Sequence, residues 1–310
     1  MDYRIYKLTF PSGVHFGNNS LEKSEETFHA DTLFSALCQE AIKDSGKALD
    51  ELVLSAKNGD FLMSDAFPFI GDTLYLPKPY INIRSDKDDG NSKRKKKFKN
   101  LHFVPAELYQ DFLRGEFPID ERGDEIKNLG HHAMKTAVNV RSEAEEPRPY
   151  RVGSYWFEKR CGLYIIMAFA DENREYMIED LMDALSYTGI GGERSSGYGR
   201  FEFRAANMQP ELEKALTGEH AEYVTLSVSL PDDSELEEAL DGASYQMIRR
   251  SGFVASSRYS DTQLRKNDLY VFEHGSVFKN TFKGQIADVS SGGAHSVYRY
   301  ARPLFLGVDL

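Results

Sequence analysis

Hydrophobic and polar side chains alternate at the start of the chain, as they do along a strand with one buried face. Tyr3 and Ile5 alternate with Arg4 and Lys7, and this pattern predicts a strand over residues 3–10. The Pro-Ser-Gly sequence that follows is typical of a turn.

Three later segments repeat their apolar residues at the three- and four-residue spacing of an amphipathic helix. This spacing predicts helices over residues 31–42, 48–56 and 174–187. We expect Asp31 to be the N-cap of the first helix, because a carboxylate can accept hydrogen bonds from the free N–H groups of a first turn.

Strand patterns surround the third of these helices. Residues 151–157 and 162–170 are predicted to form an antiparallel pair joined near Lys159 and Arg160, and residues 200–204 alternate phenylalanine with charged side chains. With the opening strand and the helices, these strands give the β–α–β–β–α–β order of a ferredoxin-like domain.

The middle of the chain is polar. A basic run at residues 93–99 is expected to be a flexible loop, and the acidic, proline-rich stretch at residues 143–149 is expected to lack regular structure.

Short elements resume in the last third of the chain. After a predicted strand over 223–230 and a helix opened by Pro231, further strands are predicted over 268–273, 275–278, 286–289, 297–300 and 304–310. The predicted fold class is therefore α+β, with two ferredoxin-like halves. The first half covers residues 1–204 with an insertion at about 78–150, an acidic linker covers 205–222, and the second half covers 223–310.

A glycine-rich loop carries the strongest functional signal. Five glycines flank three polar residues, in the order Gly189, Gly191, Gly192, Arg194, Ser195, Ser196, Gly197, Gly199. Dense glycine permits positive φ and close approach of a ligand to the backbone, and a guanidinium with two hydroxyls suits phosphate. The nucleotide-binding P-loop is excluded because Tyr198 stands where that motif needs lysine. The remaining functional hypothesis is that this loop contacts a nucleic-acid backbone. The alternative is a mobile turn that binds no ligand.

Eight short blocks, in a fixed order, together resemble a known family. They are Tyr3–Phe10, His15–Gly17, Ala30–Leu37, Asp65–Phe69, Leu76–Pro79, Ser251–Phe253, Gly275–Ser276 and Tyr298–Phe305. With the helix, glycine loop and strand between them, the chain resembles the RAMP superfamily of RNA-binding CRISPR proteins. Within it, the chain is most similar to the family of the fourth Csm subunit of type III-A effector complexes.

The resemblance implies two RAMP domains, glycine-rich loops and an inserted thumb-like region. It also implies a scaffolding subunit, without a catalytic centre, metal or cofactor, that grips the 5′ handle of the crRNA. The implied protein partners are the large signalling and nuclease subunit and the first backbone RAMP subunit, and no membrane is implied. The implied RNA contacts are His15, Phe16, Gly17, Arg141, Gly189, Gly191, Gly192, Arg194, Ser195, Ser196, Gly197, Tyr198, Arg249, Arg250, Ser251, Gly252, His295 and Arg299.

The charge distribution bears on this expectation. The net charge of −11 argues against a polyanionic partner, but residues 78–100 hold nine basic and three acidic side chains, whereas residues 205–244 hold ten acidic side chains and Lys214. A local basic field can still attract RNA within about 10 Å, the Debye length at moderate salt. Solvated surfaces of either sign are the alternative.

The composition of the chain indicates in which cellular compartment the protein is expected. The 41% hydrophobic and 28% charged residues are typical of a globular chain, with no apolar run long enough to span a membrane and no signal-like start. Cys38 and Cys161 lie in apolar surroundings, which favours free thiols and the cytoplasm.

Catalysis is the main competing function. Some RAMP proteins cut RNA without metal, which needs a general base, and His15 follows the first strand where a ligand-facing loop would lie. The competing hypothesis is therefore a crRNA-processing endoribonuclease with His15 as base. A third hypothesis is a structural cap that binds protein alone.

The role of Phe253 has two alternatives. It is expected either to stack on a base or to be a core residue.

Overall fold

A computed structural model of the chain describes residues 1–17, 20–81, 92–139, 148–256 and 258–309, and it mixes helices with strands. The strands are β1 (Asp2–Thr9), β2 (Phe16–Gly17), β3 (Ser24–Glu25), β4 (Phe61–Met63), β5 (Phe67–Ile70), β6 (Thr73–Pro77), β7 (Phe103–Pro105), β8 (Gly130–Asn139), β9 (Arg148–Phe157), β10 (Cys161–Phe169), β11 (Glu202–Ala206), β12 (Glu222–Thr225), β13 (Met247–Arg250), β14 (Leu269–Phe272), β15 (Val277–Phe278), β16 (Gln285–Asp288), β17 (Tyr298–Ala301) and β18 (Phe305–Val308). The α-helices are α1 (Ala30–Asp44), α2 (Gly46–Asn58), α3 (Ser92–Asn100), α4 (Tyr109–Leu113), α5 (Ile119–Arg122), α6 (Glu172–Thr188), α7 (Pro210–Thr217) and α8 (Leu236–Leu240).

The main sheet is antiparallel and has the strand order β11–β1–β10–β5–β6–β7, with β4 also paired to β10. Ile5 lies opposite Ile166 in the β1–β10 register. Every residue of β10 is buried, because the strand has partners at both edges and side chains packed on both faces.

The elements with clear periodicity are confirmed. Both ends of the opening strand and of the helices α1, α2 and α6 lie within two residues of their predicted bounds. The prediction that Asp31 is the N-cap of α1 is wrong, however. The cap position belongs to His29, and Asp31 lies in the first turn with only 3% of its surface exposed.

The predicted pairing of residues 151–157 with 162–170 is also wrong. β9 pairs along its length with β8, from Gly130 opposite Phe157 to Asn139 opposite Arg148, and forms a long hairpin. The expected turn is present, with Arg160 at φ 66°, but it leads from this hairpin into the main sheet. Residues 130–139 and 148–149 of the predicted insertion therefore have regular structure.

Two polar segments are more ordered than their composition indicates. The basic run at 93–99, expected to be a loop, lies in α3, where Lys97 is 3.3 Å from Asp120 and 3.9 Å from Asp124. The acidic linker contains α7, which buries Leu212 and Leu216 against the sheet.

In the last third, β14 to β18 are close to their predicted positions, β12 ends five residues earlier than predicted, and β13 was not predicted. These strands do not form one four-stranded sheet within the described residues. They form the three-stranded sheet β15–β12–β18 and the pairs β13–β14 and β16–β17. One hydrophobic cluster joins both halves of the chain, since it contains Ile5 and Ile166 together with Val224 and Leu306.

Both cysteines are free, and burial raises the pKa of each thiol, to about 12 for Cys38. Among the helices of the described residues, none combines the length and the apolar character that crossing a membrane requires.

Candidate nucleic-acid interface

The glycine-rich loop joins the end of α6 to β11. Gly189, Gly191, Gly197 and Gly199 have φ between +76° and +95°, a region that favours glycine. The N–H of Ile190 donates to the carbonyl of Gly199 (2.9 Å), which closes the loop.

At most of these glycines, the space that a side chain would need is filled by other backbone atoms of the protein, so no ligand could enter it. A Cβ on Gly191 would lie 2.6 Å from the carbonyl oxygen of His15, and one on Gly199 would lie 2.1 Å from the carbonyl oxygen of Ile190. Gly197 differs, because a Cβ there would meet no atom within 4 Å. Its free side is therefore the part of the loop that a ligand could approach.

The glycine loop packs directly on the His15–Gly17 segment. The N–H of Gly192 donates to the carbonyl of His15 at 2.9 Å, and a Cβ on Gly192 would lie 2.6 Å from the His15 ring. Two segments about 175 residues apart in the sequence are thus one structural unit.

His15 and Phe16 are not the open, ligand-facing residues that the sequence predicted. His15 is 5% exposed and its Nδ1 lies 2.7 Å from the carbonyl oxygen of Gly153. Phe16 packs edge-on against Phe28 with ring centroids 5.1 Å apart. Both side chains are buried because the glycine loop covers them, and Gly17 is the exposed member of the segment.

Arg194 keeps an unneutralised charge. Its Nη2 donates to the side-chain oxygen of Gln39 (3.0 Å), and no carboxylate within the described part of the chain lies in ion-pair distance. Ser195 and Ser196 beside it are exposed. This end of the loop therefore presents a guanidinium and the Ser195 hydroxyl, while the Ser196 hydroxyl donates to Glu193 (3.4 Å).

Arg250 and Arg299 have structural partners. Arg250 donates to both carboxylate oxygens of Asp31 (2.9 and 2.8 Å), and buried Arg299 donates to Asp31 and to the carbonyl of Ser251. Burial raises the pKa of Asp31, but Arg250 and Arg299 lower it further, so it lies well below its usual range. Because Arg299 is only 5% exposed, RNA cannot reach its side chain.

Two guanidinium groups share this one carboxylate. Lys266 lies in the same cluster, and burial, followed by repulsion from Arg299, lowers its pKa. Arg249 faces the other way, half exposed and 3.5 Å from Asp268. Arg250 is also attracted by the carboxylates of Asp65 and Glu273, so cationic and anionic side chains are mixed around Asp31.

The remaining predicted contacts are dispersed. Gly252 has φ +138° with open space around it, and Phe253 is exposed with Arg265 over its ring, so it is not a core residue. His295 bonds Ser256 (2.9 Å). Arg141 lies outside the described residues.

One groove of about 1000 Å³ connects three of the predicted segments. Phe16 and Gly17 line it from one loop, Gly191 from the glycine loop, and Arg249 and Arg250 from β13. Three of the predicted segments thus meet at a common surface through five of the eighteen predicted contacts, whereas the other described ones, including Arg194, Gly197 and His295, do not line the groove.

The groove also contains residues that the sequence did not assign to RNA contact. Lys78 and Lys99 add positive charge, and Tyr80 and Tyr245 add aromatic surface. The only sequence signals for them were the basic count of residues 78–100 and the Leu76–Pro79 block.

Two histidines in the wall of the groove share one buried carboxylate behind it. His29 Nδ1 and His274 Nδ1 lie 2.7 and 2.8 Å from the same oxygen, Oδ2 of Asp65. Ligands of a tetrahedral zinc ion lie about 3.3 Å apart, given metal–ligand bonds of about 2.0–2.1 Å. The observed separations instead fit two hydrogen bonds.

The groove combines lysine and arginine side chains with tyrosine rings, beside Glu25, Glu26 and Glu273. Cations together with aromatic rings in a groove are typical of proteins that bind single-stranded nucleic acid. Comparison with known proteins identifies the family. The chain is 40% identical over 309 residues to the CRISPR system Cms protein Csm4 of Mycobacterium tuberculosis (strain H37Rv), covering 99% of this chain and 98% of that protein. It is 36% identical to Csm4 of Streptococcus thermophilus, with both chains fully covered. Residues 218–308 match the CRISPR Csm4 C-terminal domain. The chain belongs to the Csm4 family.

Solved structures support the same fold. A crystal structure of a Csm3–Csm4 subcomplex in the type III-A CRISPR–Cas interference complex matches with a TM-score of 0.67 at 17% identity, covering 99% of both chains. A Csm1–Csm4 cassette in complex with AMPPNP matches with a TM-score of 0.63 at 21% identity, covering 100% of this chain and 99% of that chain.

Proposed function

We propose that this chain holds the single-stranded 5′ handle of a crRNA in the groove and acts as a scaffolding subunit of a type III-A CRISPR complex. The observation that carries the proposal is the meeting of Gly17, Gly191 and Arg249 at one groove. Single-stranded RNA is bound by backbone contacts together with stacking of splayed bases on aromatic rings. The groove offers both, from its lysine and arginine side chains and from Tyr80 and Tyr245.

The strand order supports a ferredoxin-like first half. β11, β1, β10 and β4 or β5 are neighbours in that order and all antiparallel, with α1 and α6 as the two connecting helices. The glycine loop lies at the end of the second helix. Its free side at Gly197 and the cation of Arg194 beside it would take an RNA phosphate.

The proposed protein partners follow from relatives. Csm4 proteins have been solved with Csm3 and with Csm1. We expect this chain to bridge the same two subunits within the cytoplasm. Its exposed acidic side chains between residues 205 and 244 would face away from the RNA, because carboxylates repel phosphate.

We also propose that the chain does not cut RNA. A general base must reach the proton that it removes. His15, the candidate base, is buried under the glycine loop and bonded to Gly153. That geometry supports a structural role for the imidazole.

The test is an equilibrium titration of the purified full chain with RNA that carries the handle of its own CRISPR locus, at two salt concentrations. Handle binding whose affinity falls with salt supports the proposal. Absence of RNA binding, with retained binding to the Csm1 and Csm3 relatives of the same locus, would establish the structural cap instead. Cleavage of repeat RNA in the presence of a chelator would establish the endoribonuclease.

A further inference from the structure

The wall of the groove contains a hydrogen-bonded pair of imidazoles, His29 and His274, on Asp65. His29 is the N-cap of α1, and His274 follows β14, so the two come from opposite ends of the chain. Their ring centroids are 5.6 Å apart. The pair is part of the groove and has no role in the contacts described above.

Asp65 is built into the fold as an anion. Its side chain is 1% exposed, and its Oδ1 accepts from the backbone N–H groups of Ala30 (2.7 Å) and Val228 (3.2 Å). Burial raises the pKa of Asp65, but the two imidazoles lower it further, to well below its usual range. A buried carboxylate needs a compensating charge, and the only groups bonded to Oδ2 in the described residues are the two imidazoles.

The hydrogen bonds orient both rings. Since Nδ1 of each ring donates to Asp65, the other nitrogen, Nε2, is the atom left for a ligand. Among the described residues neither Nε2 has a hydrogen-bond partner. His274 is held by Phe67, edge-on at 5.4 Å, and by Phe103, stacked at 6.2 Å. Both imidazoles are therefore positioned in advance on the groove wall.

We propose that His29 and His274 form a proton-dependent phosphate site, in which their Nε2–H groups donate to the backbone of the RNA strand in the groove. The inference rests on the proposed function, since it requires RNA in that groove. With both rings neutral the cluster has a charge of −1 and repels phosphate. With both rings protonated it has a charge of +1 and attracts phosphate, so RNA binding takes up protons.

Other charged groups also face the pair. Asp31 is paired with Arg250 and Arg299, whereas Glu273 accepts from the hydroxyl of Tyr80 at 2.6 Å, which brings no compensating charge. The remaining charged or titratable groups that line the groove are Glu25, Glu26, Lys78, Lys99, His102 and Arg249.

The experiment measures affinity for handle RNA at constant ionic strength from about pH 8 to about pH 6, and proton uptake by calorimetry in buffers of different ionisation enthalpy. Wild type should bind about 10-fold more tightly at the lower pH. The double variant His29→Gln with His274→Gln keeps hydrogen-bonding groups but cannot titrate, and its affinity should change less than about 2-fold. Each single variant should take up fewer protons than wild type, which tests the idea even if the double variant does not fold.

The matched control is His220→Gln. His220 also bonds a carboxylate through Nδ1, Asp309 at 3.2 Å, but it does not line the groove. This variant should keep the wild-type pH dependence.

Wild-type binding that is independent of pH, or an unchanged pH dependence in the double variant, would overturn the phosphate site while leaving RNA binding intact. Failure of wild type to bind handle RNA at any pH would overturn the proposed function and the site with it. One equivalent of zinc or manganese that purifies with wild type and is lost in the double variant would also overturn the site, because Nδ1 would then be a metal ligand.

Discussion

Arg250 on β13 donates two hydrogen bonds to Asp31 in the first turn of α1, at 2.9 and 2.8 Å. This pair joins residues 219 positions apart and fixes one wall of the groove to the first helix. Arg249, the neighbouring residue, has a half-exposed side chain with a weaker partner. Two adjacent arginines with the same predicted role therefore have different physical roles.

The first prediction concerns stability. Arg250→Ala should lower the free energy of unfolding by about 1–3 kcal/mol, because the buried Asp31 carboxylate loses two hydrogen bonds from a cation and keeps those from Arg299 and Thr32. Arg249→Ala should change it by less than about 1 kcal/mol, as exposed pairs do. Urea unfolding of both variants provides the measurement. Equal losses would contradict the assignment of separate roles.

The second prediction concerns the loss of stability at low pH. The folded-state pKa values of Asp31 and Asp65 are lowered, so their ionised forms stabilise the fold above the unfolded-chain value of about 3.9. This stabilisation is lost as the pH falls through the folded-state values. Urea unfolding between about pH 5 and about pH 2 should show a steep loss in wild type and a shallower one in Asp31→Asn. Asp72→Asn, at an exposed side chain, is the control and should behave as wild type.

The third prediction concerns RNA. Arg249→Ala should weaken handle binding and reduce the slope of log affinity against log salt by about 1, which is one phosphate contact. The control combines Glu237→Gln with Glu238→Gln, two exposed acidic residues of α8, and should change the binding free energy by less than about 0.5 kcal/mol. Filter binding at several salt concentrations measures both. The opposite ranking would place the RNA on the acidic face.

The fourth prediction separates two glycines. Gly191→Ala should disrupt the docking of the glycine loop, because the new Cβ would lie 2.6 Å from the His15 carbonyl oxygen at a positive φ. Gly197→Ala has only the cost of positive φ, about 1–2 kcal/mol, because the space around it is open. Thermal unfolding and RNA affinity should both show the larger effect at Gly191. A larger stability loss at Gly197 would show that the loop packs differently.

The fifth prediction concerns catalysis. Wild type and His15→Ala should be equally unable to cut repeat RNA, while His15→Ala loses stability because the bond to Gly153 is removed. Gel analysis with and without chelator measures cleavage. Specific cleavage by wild type that is abolished in His15→Ala would make His15 a general base.

The sequence by itself determined the elements whose signal is local. The opening strand, α1, α2 and α6 follow from hydrophobic periodicity, and the glycine loop follows from a run of residues that tolerate positive φ. The helix α3 was missed because a lysine run has no apolar period. Its position is set by tertiary contacts, in which Phe98 packs on Phe112 and Lys97 lies near Asp120 and Asp124.

Only the tertiary structure decided which segments meet. β9 pairs with β8 rather than with β10, because β10 is taken up on both edges by β1 and by β4 and β5. The groove joins Gly17, Gly191 and Arg249, and the imidazole pair joins His29 and His274 through Asp65. Such contacts depend on how the sheet and helices pack over a shared core. A pattern along the chain shows which face of an element is buried but not which distant residue covers it.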